Sequence, residues 1–454
     1  MDRLVSPNSI AIVGVSADSG KIAGRLLPIL QGSGFAGNIF PVNPKWNEMN
    51  GMRCYSNLVD LPAVPDVAIV LVPNLGVAEV LRQAVQKKIP YVIVFSSGFN
   101  ETKGQGEVLA AELAEIVKGT KTRLVGPNSE GLFDVVAKAP MSFSPVIDPD
   151  RGRIPLRSGQ VVIVSQSGGI GFAIADQLDA AGVGIRAVVT TGNELDLEVA
   201  DFVDYYGQDA DVNVIVLFVE GLADPEHMVD ACRHARENGK TVFAIRIGSS
   251  SAGQRAVQAH TGKNALQPEV FEDIFRRAQV SLLSDIEDVI DATMAVGRLK
   301  TKKGSRVAIV SVSGGGGIWS ADLMNECNLE IPPLSDELRQ SLKTFLPKYA
   351  SLLNPIDLTA QAIYDGTIVR AVEEIFSYDE FDGVLLVATL GYDHLLLSNP
   401  TFRKTLQTCA KPMVIFSYTP PSETTRRLLD ELGVVCFSSP RRAVRALARG
   451  LCAI

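Results

Sequence analysis

Short apolar runs recur along the chain, and each is followed by a glycine or polar turn and then by an amphipathic segment of helical length. This alternation is typical of parallel α/β units, because strands buried on both faces read as continuous stretches of Val, Ile and Leu. In the first third the runs lie at residues 10–13, 39–42, 67–72, 91–95 and 123–125. Five such strands are enough for a small doubly wound sheet.

Two interruptions divide this rhythm, at the proline-rich stretch 139–155 and at the charged, glycine-containing join 299–305. Proline neither continues a helix nor lies in a central strand, so the first stretch marks a boundary. Apolar runs resume after the interruptions, first at 161–164, 187–190, 214–219 and 242–247, and then at 307–310, 384–387, 413–416 and 434–437. The pattern predicts three consecutive doubly wound α/β domains, at 1–138, 139–300 and 301–454.

The first strand of each predicted domain runs into a turn of small residues. The three turns are Gly14-Val15-Ser16, Ser165-Gln166-Ser167-Gly168-Gly169 and Ser313-Gly314-Gly315-Gly316-Gly317. A turn of this kind directs free backbone N–H groups, together with the positive end of the following helix, at an approaching anion. Three candidate phosphate sites follow, although glycine after a strand is equally what a plain tight turn requires.

The first turn resembles a dinucleotide fingerprint loosely and carries Lys21, but Ile22 follows that lysine, so it is not a Walker A loop. The second strand ends in Asn43-Pro44-Lys45 and lacks the acidic residue that bonds the ribose hydroxyls of NAD. A lysine at this place favours a phosphorylated ribose or a pyrophosphate. The ligand of the first domain is therefore expected to be NADP or coenzyme A.

His260 lies among small residues at 256–265, where a loop is predicted and no packed core would hold an imidazole. An imidazole is a nucleophile near neutral pH, although a loop histidine that only hydrogen-bonds locally is an open alternative. The turn at Ser165, Gln166, Ser167, Gly168 and Gly169 could hold phosphate, and a histidine presented to it could be phosphorylated. Glu220, after an apolar strand, could fix the imidazole tautomer or could instead cap the next helix.

The other three histidines are not predicted to take part in catalysis or metal binding. His227 and His234 flank Cys232 without a fourth ligand or the spacing of a zinc site, so they are expected at the surface and no metal site is predicted. His394 follows an apolar run, where a loop role is the default.

Composition and charge exclude several classes of function. The net charge of −8 and the absence of a Lys/Arg-rich run argue against a nucleic-acid partner, because phosphate backbones demand concentrated positive charge. The six cysteines form no Cys-x-x-Cys pair, as expected for reduced thiols. No apolar stretch is long enough to cross a bilayer and no leader is recognised, so a cytoplasmic protein with no membrane partner is expected.

Several motifs, weak singly and strong in this order, give the chain a resemblance over essentially its whole length. They are Gly14-Val15-Ser16, Pro41-Val42-Asn43-Pro44, Ser97-Gly98-Phe99-Asn100-Glu101, Gly126-Pro127-Asn128-Ser129-Glu130-Gly131, Ser165-Gln166-Ser167-Gly168, Glu220-Gly221, His260-Thr261-Gly262 and Asn354-Pro355-Ile356-Asp357-Leu358. The chain resembles the α subunit, or α-type region, of the nucleoside-diphosphate-forming acyl-CoA synthetases, the superfamily that includes succinyl-CoA synthetase.

The resemblance implies a Rossmann-like CoA-binding domain followed by two flavodoxin-like domains. It also implies that His260 is phosphorylated during turnover, that Glu220 steadies it, and that the turn at 165–169 receives the phosphoryl group. The residues it implies along coenzyme A are Gly14, Ser16, Lys21, Asn43 and Lys45, with Ser97 and Gly98 near the pantetheine path.

The implied reaction is reversible: a small carboxylic acid, CoA and ATP give acyl-CoA, ADP and phosphate through an acyl phosphate and a phosphohistidine. A mobile loop must then carry His260 between two sites, and the small residues at 248–253 would let it swing. No segment of the sequence matches the ATP-grasp portion of the family. The resemblance therefore implies a separate ATP-grasp β subunit, which would bring most of the contacts to ATP/ADP and Mg²⁺, in an αβ or α2β2 oligomer.

The chain departs from the family pattern at Ser129, where cysteine is frequent, at Arg246, where lysine is common, and at Lys263-Asn264-Ala265 after the histidine motif. These departures leave the acyl substrate and the efficiency of phosphorylation open. Two other functions stay open as well: a CoA- or acyl-CoA-binding regulatory protein without ligase activity, and an NADP-dependent dehydrogenase.

Overall fold

The structure is a computed structural model that describes residues 1–151, 156–261, 267–299, 302–391 and 395–451. The chain divides into two units, Met1–Val289 and Ile290–Ile454. In these described ranges the first unit contains two large sheets and a small antiparallel pair, and the second unit contains one sheet.

The first sheet is parallel throughout and has the order β2-β1-β5-β6-β7 in the described residues. Its part of the chain contains α1 (Asp2–Val5), β1 (Ser9–Val13), α2 (Ile22–Gly32), β2 (Asn38–Val42), β3 (Glu48–Met49), β4 (Met52–Arg53), β5 (Val67–Val70), α3 (Asn74–Lys87), β6 (Tyr91–Val94), α4 (Gln105–Val117) and β7 (Arg123–Val125). Strands β3 and β4 form the separate antiparallel pair. Every residue of β5 is buried, as expected for a parallel strand covered by helices on both faces.

The second sheet has the order β14-β13-β12-β10-β11-β8-β9, again for the part of the chain that the structure describes. Its elements are β8 (Gly131–Asp134), β9 (Ala139–Ser142), β10 (Ser158–Ser165), α5 (Gly168–Ala180), β11 (Ile185–Thr190), α6 (Val199–Gly207), β12 (Val214–Phe218), α7 (Pro225–Glu237), β13 (Thr241–Ile245), α8 (Ser251–Thr261), α9 (Pro268–Arg277), β14 (Ser281–Leu283) and α10 (Ile286–Arg298). The five strands from β10 to β14 are parallel, and the hairpin β8-β9 adds an antiparallel edge.

The antiparallel hairpin lies where the sequence pattern predicts a boundary between domains. The predicted limit at 138/139 falls between β8 and β9, and Leu132 of β8 pairs with Val189 of β11 in the second sheet. One cluster of buried side chains also includes residues of both sheets, among them Ile12 of β1 and Val164 of β10. The limits of the first two domains therefore stay a prediction.

The third sheet has the order β16-β17-β15-β18-β19-β20 within the described residues of the second unit. Its elements are β15 (Val307–Ser311), α11 (Gly314–Glu326), α12 (Asp336–Lys343), β16 (Ser351–Leu352), β17 (Ile356–Asp357), α13 (Gln361–Tyr364), α14 (Thr367–Ser377), β18 (Gly383–Ala388), α15 (Leu395–Ser398), α16 (Pro400–Thr408), β19 (Met413–Ser417), α17 (Glu423–Leu432), β20 (Val435–Phe437) and α18 (Pro440–Leu451). Strand β16 pairs antiparallel to β17, and the other pairs are parallel.

The predicted α/β class, with three parallel-core sheets, is confirmed. In each sheet the strand that precedes the small-residue turn has neighbours on both sides that come later in the chain: β1 lies between β2 and β5, β10 between β11 and β12, and β15 between β17 and β18. These are the points at which the strand order reverses, and ligands of open α/β sheets bind in the crevice outside the carboxyl ends of such strands. Among the described helices, none combines the length and the apolar character needed to cross a membrane.

Candidate functional site

The turn between β1 and α2 is held together by hydrogen bonds among its own residues. Gly14 has a φ of 93°, and a side chain there would lie 3.2 Å from the backbone of Leu71, so only glycine fits without strain. The N–H of Ser16 donates to the carbonyl of Ala23 over 3.0 Å, and the Ser16 hydroxyl accepts from the N–H of Asp18 over 3.1 Å. The turn is therefore rigid where it faces the end of the sheet.

Asn43 ties this turn to the end of β2. Its side-chain amide donates to the carbonyl of Val15 over 2.8 Å, and its side-chain oxygen accepts from the N–H of Lys45 over 2.9 Å. Lys45 is exposed, and the side chain of Lys21 is 71% exposed with its ammonium 3.3 Å from Asp18. Asn43 thus holds two loops together, and the two lysines are the cations that could meet phosphates.

Gly98 and Ser97 lie after β6, at the same edge of the first sheet. The N–H of Gly98 donates to the Glu101 carboxylate over 2.5 Å, and the other oxygen of that carboxylate accepts from the Asn193 amide over 2.6 Å. Burial alone would raise the pKa of the Glu101 carboxyl, but the hydrogen bonds from Asn193 and the backbone outweigh it and hold that pKa below its usual value. An ionised Glu101 therefore links the loop after β6 to the loop after β11.

The turn between β10 and α5 comprises residues 165–169 and is called the α5 turn below. Ser165 is fully buried, and its hydroxyl donates to the carbonyl of Ser167 over 2.6 Å. Ser167 is the N-cap of α5 but makes no side-chain capping hydrogen bond, and Gly168 and Gly169 form the first two positions of the helix. The hydroxyl of Ser167 and the first N–H groups of α5 therefore lie at an unfilled helix start.

Gln166 is a framework residue of the α5 turn. Its backbone N–H donates to Phe218 over 3.0 Å, and its side-chain amide donates to Glu194 over 2.5 Å and to the carbonyl of Gly221 over 2.6 Å. Its side-chain oxygen accepts from the N–H groups of Glu220 and Gly221 over 2.5 and 3.0 Å. Gln166, which the sequence places among the phosphate-binding residues, thus has its donors engaged with the protein and holds the segment after β12 in place.

Glu220 follows β12, the strand directly beside β10, and is partly buried. The hydrogen bond from its N–H to Gln166 fixes its backbone next to the α5 turn. The structure therefore places the backbone of Glu220 beside the predicted phosphate turn at one switch point.

The backbone of His260 is helical, within α8 (Ser251–Thr261), so the loop predicted at 256–265 is wrong for residues 256–261. Alanine, glutamine and arginine dominate this segment and are strong helix formers, which outweighs the single glycine at 253. The small-residue run at 248–253 is accordingly split between a loop and the first turn of α8, with Gly248 at a φ of 66°. The side chain of His260 and the residues Lys263, Asn264 and Ala265 lie outside the described residues.

The remaining predictions concern residues away from the α5 turn. His227 and His234 lie on α7, and each ring is 3.3–3.4 Å from the Asp204 carboxylate. Burial raises the pKa of the nearby Cys232 thiol to about 12, which disfavours a metal-binding thiolate. The residues that the structure describes contain no cluster of three or more metal-ligating side chains. His394 lies outside them.

Ser129 and Arg246, two of the positions that depart from the family pattern, interact with neighbouring elements of the second sheet. Ser129 is buried, and its hydroxyl donates to the carbonyl of Thr190 over 2.6 Å and accepts from the N–H of Gly131 over 2.8 Å. Arg246 lies 2.7 Å from the Glu272 carboxylate. Both residues are thus anchored to neighbouring elements of the second sheet.

Sequence reasoning missed Glu130, which lies against the first turn of α5. A side chain on Gly168 would come within 2.7 Å of the Glu130 Cβ and 2.8 Å of its Oε2. The signal was present, since Glu130 stands inside the motif Gly126–Gly131 that carries the resemblance, but spacing alone does not reveal that this motif reaches α5.

Two family models match the chain. A CoA binding domain matches residues 8–133, and a succinyl-CoA ligase like flavodoxin domain matches residues 158–296. These ranges coincide with the first sheet and with most of the second.

Several relatives and solved structures match nearly all of the chain. An ADP-forming acetate–CoA ligase I of Archaeoglobus fulgidus is 29% identical over 99% of this chain and 63% of the relative, so the chain spans less than two thirds of that protein. The α subunit of an ADP-forming acetate–CoA ligase I of Pyrococcus furiosus is 28% identical, with 99% and 96% covered. A solved structure, the dinucleotide forming acetyl-coenzyme A synthetase 1 of Ca. Korarchaeum cryptofilum in complex with phosphate and ADP, has a TM-score of 0.87 at 27% identity and covers 99% and 96%. The chain is thus an α-like member of the ADP-forming acyl-CoA synthetases, in the succinyl-CoA ligase superfamily.

Proposed function

We propose that this chain is the α component of an acyl-CoA synthetase that converts a small carboxylic acid, CoA and ATP reversibly into acyl-CoA, ADP and phosphate. The observation that carries the proposal is the α5 turn: an uncapped helix start beside Glu220, with Gln166 holding both in one frame. A helix start of this kind stabilises a phosphoryl group through its N–H groups and dipole.

In the direction of ATP formation, a phosphate oxygen attacks the thioester carbon, and the CoA thiolate leaves to give an acyl phosphate. A ring nitrogen of His260 then bonds to phosphorus while the bond to the acyl oxygen breaks, which releases the carboxylate. In a last step the phosphoryl group passes from His260 to ADP. The α5 turn serves the second step, because its N–H groups and the Ser167 hydroxyl offset the charge of the phosphoryl group.

Glu220 is proposed to accept a hydrogen bond from the imidazole of His260. Such a bond fixes the tautomer and leaves the opposite nitrogen free as the nucleophile. The rigid attachment of the Glu220 backbone to Gln166 supports this role, because a tautomer is selected only by a carboxylate held in place.

Coenzyme A is proposed to bind at the carboxyl edge of the first sheet. The residues fit such a ligand: the turn at Gly14 and Ser16 admits a close backbone approach, and Lys21 and Lys45 present cations for its phosphates. Asn43 positions the two loops, and Ser97 and Gly98 lie at the same edge, on the proposed path of the pantetheine arm. Coenzyme A bound there would supply the thiol that accepts the acyl group.

A partner is proposed to bring the nucleotide. The relative of similar length is named a subunit α, and the longer relative extends well beyond the region matched here. We propose an ATP-grasp β subunit that brings most of the contacts to ATP/ADP and Mg²⁺, in an αβ or α2β2 assembly. We also propose the domain limits 1–138, 139–300 and 301–454. A cytoplasmic location is proposed as well, in keeping with the five described cysteines, which form no disulfide.

The direct test uses acyl-CoA and radiolabelled inorganic phosphate, because this route to phosphohistidine requires no ATP. Wild-type chain incubated with a panel of acyl-CoA thioesters should acquire an acid-labile, base-stable phosphoryl label, and His260→Ala should acquire none. His234→Ala, which removes an exposed histidine of the same unit, is the matched control and should keep the label. Label on His260→Ala would overturn the assignment. Calorimetric titration with CoA that succeeds while no thioester or partner gives label would favour a binding protein.

A further inference from the structure

The proposed phosphoryl site contains a carboxyl group, that of Glu130, which is not among the predicted site residues. Glu130 lies in the link between β7 and β8 and reaches the start of α5. Its Oε2 is 2.8 Å from the place where a Gly168 side chain would begin and 4.0 Å from the corresponding place at Gly169. A carboxyl group thus lies over the first turn of the helix that is proposed to hold a dianion.

The position of Glu130 is fixed by its neighbours. Its N–H donates to the Thr190 hydroxyl over 3.0 Å, and the same hydroxyl donates to the carbonyl of Gly131 over 2.8 Å. The absence of a side chain at Gly168 leaves the space that the carboxyl occupies. The backbone of Glu130 is therefore tied to β11, and its side chain occupies the space beside Gly168.

The charged and polar groups around Glu130 do little to keep it ionised. Ser144 is its hydrogen-bond partner, and Arg25 is the cation that acts on it. Arg25, however, donates to Asp148 from two nitrogens at 2.8 and 3.3 Å, so most of its charge is already compensated. Burial raises the pKa of the Glu130 carboxyl above its usual value, and Ser144 and Arg25 oppose this only in part. The first turn of α5 itself contributes no ionisable side chain.

A dianion at the α5 turn and an ionised Glu130 would repel each other at a few ångströms in a partly desolvated place. A protonated carboxyl would instead donate a hydrogen bond to a phosphoryl oxygen. We infer that Glu130 is a ligand of the phosphoryl group in its protonated form, so that binding of a tetrahedral dianion takes up one proton from solution and release returns it. This inference rests on the proposed function, because it assumes that the α5 turn is the anion site.

No bond to phosphorus changes in this event: one proton joins a Glu130 oxygen, and one O–H···O hydrogen bond replaces a charge repulsion. In the reaction, phosphate entry and phosphoryl transfer to His260 would therefore be favoured by lower pH. Affinity that requires protonation falls about tenfold for each pH unit above the pKa of the group.

Sulfate is the probe of choice, because it is a tetrahedral dianion over the whole neutral range and so contributes no titration of its own. All chains carry His260→Ala, which removes the imidazole as a second titrating group. Sulfate affinity of the full chain is measured by calorimetry between pH 5.5 and 8, in pairs of buffers with different ionisation heats. The affinity of the chain with native Glu130 should rise about tenfold or more as the pH falls, with net proton uptake.

Glu130→Gln keeps the shape and presents a permanent donor, so its sulfate affinity should stay within about twofold across the range, without proton uptake. Glu226→Gln, which removes an exposed carboxylate of the same unit, should retain the wild-type pH dependence. Gly169→Asp adds a competing charge at the second position of α5 and should abolish binding, which locates the site. Melting curves of each variant confirm that it is folded.

The outcomes separate the two proposals. Equal proton uptake on sulfate binding by the Glu130→Gln chain and by the chain with native Glu130 would overturn the role of Glu130 but leave the proposed anion site intact. Absence of sulfate binding in every variant, or binding that survives Gly169→Asp, would overturn the anion site and with it the proposed function.

Discussion

Two strand-to-helix turns, one in each unit, share the same construction. The α5 turn and the corresponding α11 turn (residues 311–315) both begin with a fully buried serine at the end of a central strand. The hydroxyls of Ser165 and Ser311 each donate to the carbonyl two residues ahead, both over 2.6 Å. A carboxyl group also faces the first glycine of each helix, from Glu130 at α5 and from Asp357 at α11.

The two turns differ in what surrounds this shared frame. The second position holds Gln166 in the α5 turn, where it fixes the segment at Glu220, and the buried Val312 in the α11 turn. The third residue also differs: Ser313 caps its own helix by accepting from the N–H of Gly316 over 3.3 Å, whereas Ser167 makes no such bond. A glycine turn after a strand is therefore a structural element, and the features that favour an anion site at the α5 turn are its uncapped helix start and the link of Gln166 to the segment at Glu220.

The largest expected effect comes from exchanging the second residues. Gln166→Leu removes the hydrogen bonds of the Gln166 side chain to Glu194 Oε2 and to the backbone of Gly221, and each buried polar group that loses its bond costs about 1–3 kcal/mol. We expect about 3 kcal/mol of destabilisation of the first unit and near-complete loss of phosphoryl labelling. Val312→Gln buries an unpaired amide and should cost the second unit about 1–3 kcal/mol, with labelling unchanged.

The chain has one tryptophan in each unit, Trp46 and Trp319, so the fluorescence of Trp319→Phe and Trp46→Phe backgrounds reports denaturant unfolding of each unit separately. Equal losses of labelling in Gln166→Leu and Val312→Gln would contradict the distinction drawn between the two turns. Normal labelling in Gln166→Leu would show that the position of Glu220 does not depend on this amide.

A smaller effect is expected from a single methyl group on the first glycine of each helix. In Gly168→Ala the new Cβ meets the Glu130 Cβ at 2.7 Å as well as its carboxyl oxygen, and a Cβ cannot move without its backbone. In Gly314→Ala it meets only the Asp357 carboxyl oxygen at 2.9 Å, which can rotate away. Alanine gains about 0.5–1 kcal/mol over glycine in a helix, and overpacking costs about 1–3 kcal/mol.

Gly168→Ala should therefore destabilise the first unit by about 1–2 kcal/mol and weaken sulfate binding, whereas Gly314→Ala should be near neutral. Denaturant titrations with the two tryptophan backgrounds check both values. If both substitutions prove neutral, Glu130 is free to move and is not the fixed group proposed for the phosphoryl site.

The sequence predicted the three parallel strand sets and their turns well, because continuous Val and Ile runs and glycine punctuation are local signals. It missed the hairpin β8-β9, since Pro140 reads as a breaker although it lies in a strand that pairs at a sheet edge. It also placed His260 in a loop, where helix-forming neighbours extend α8.

The candidate site was only partly predictable from the sequence. The sequence could place residues 165–169 and Glu220 at one edge of a sheet, because both lie at or just after the carboxyl ends of strands, and their role in phosphate binding stays a prediction. The contact between Gln166 and Glu220 joins residues that are 54 positions apart in the sequence. The contact between Glu130 and Gly168 joins residues on either side of the hairpin β8-β9. No local pattern encodes such distances, and the three turns therefore looked alike until the structure separated them.

The smallest expected effect distinguishes the two cap serines. Ser313→Ala removes a capping hydrogen bond and should cost the second unit about 1 kcal/mol, since that is the usual value of a serine cap. Ser167→Ala removes a hydroxyl that caps nothing, so its cost in stability should stay below about 0.5 kcal/mol, yet sulfate affinity should fall because one donor to the anion is lost. The two substitutions are thus expected to have opposite effects: Ser313→Ala lowers the free energy of unfolding, and Ser167→Ala lowers the affinity for sulfate. Should Ser167→Ala instead behave like Ser313→Ala, with lost stability and unaltered sulfate binding, the hydroxyl at the α5 turn would be an ordinary cap, and the contrast between the turns would rest on Gln166 alone.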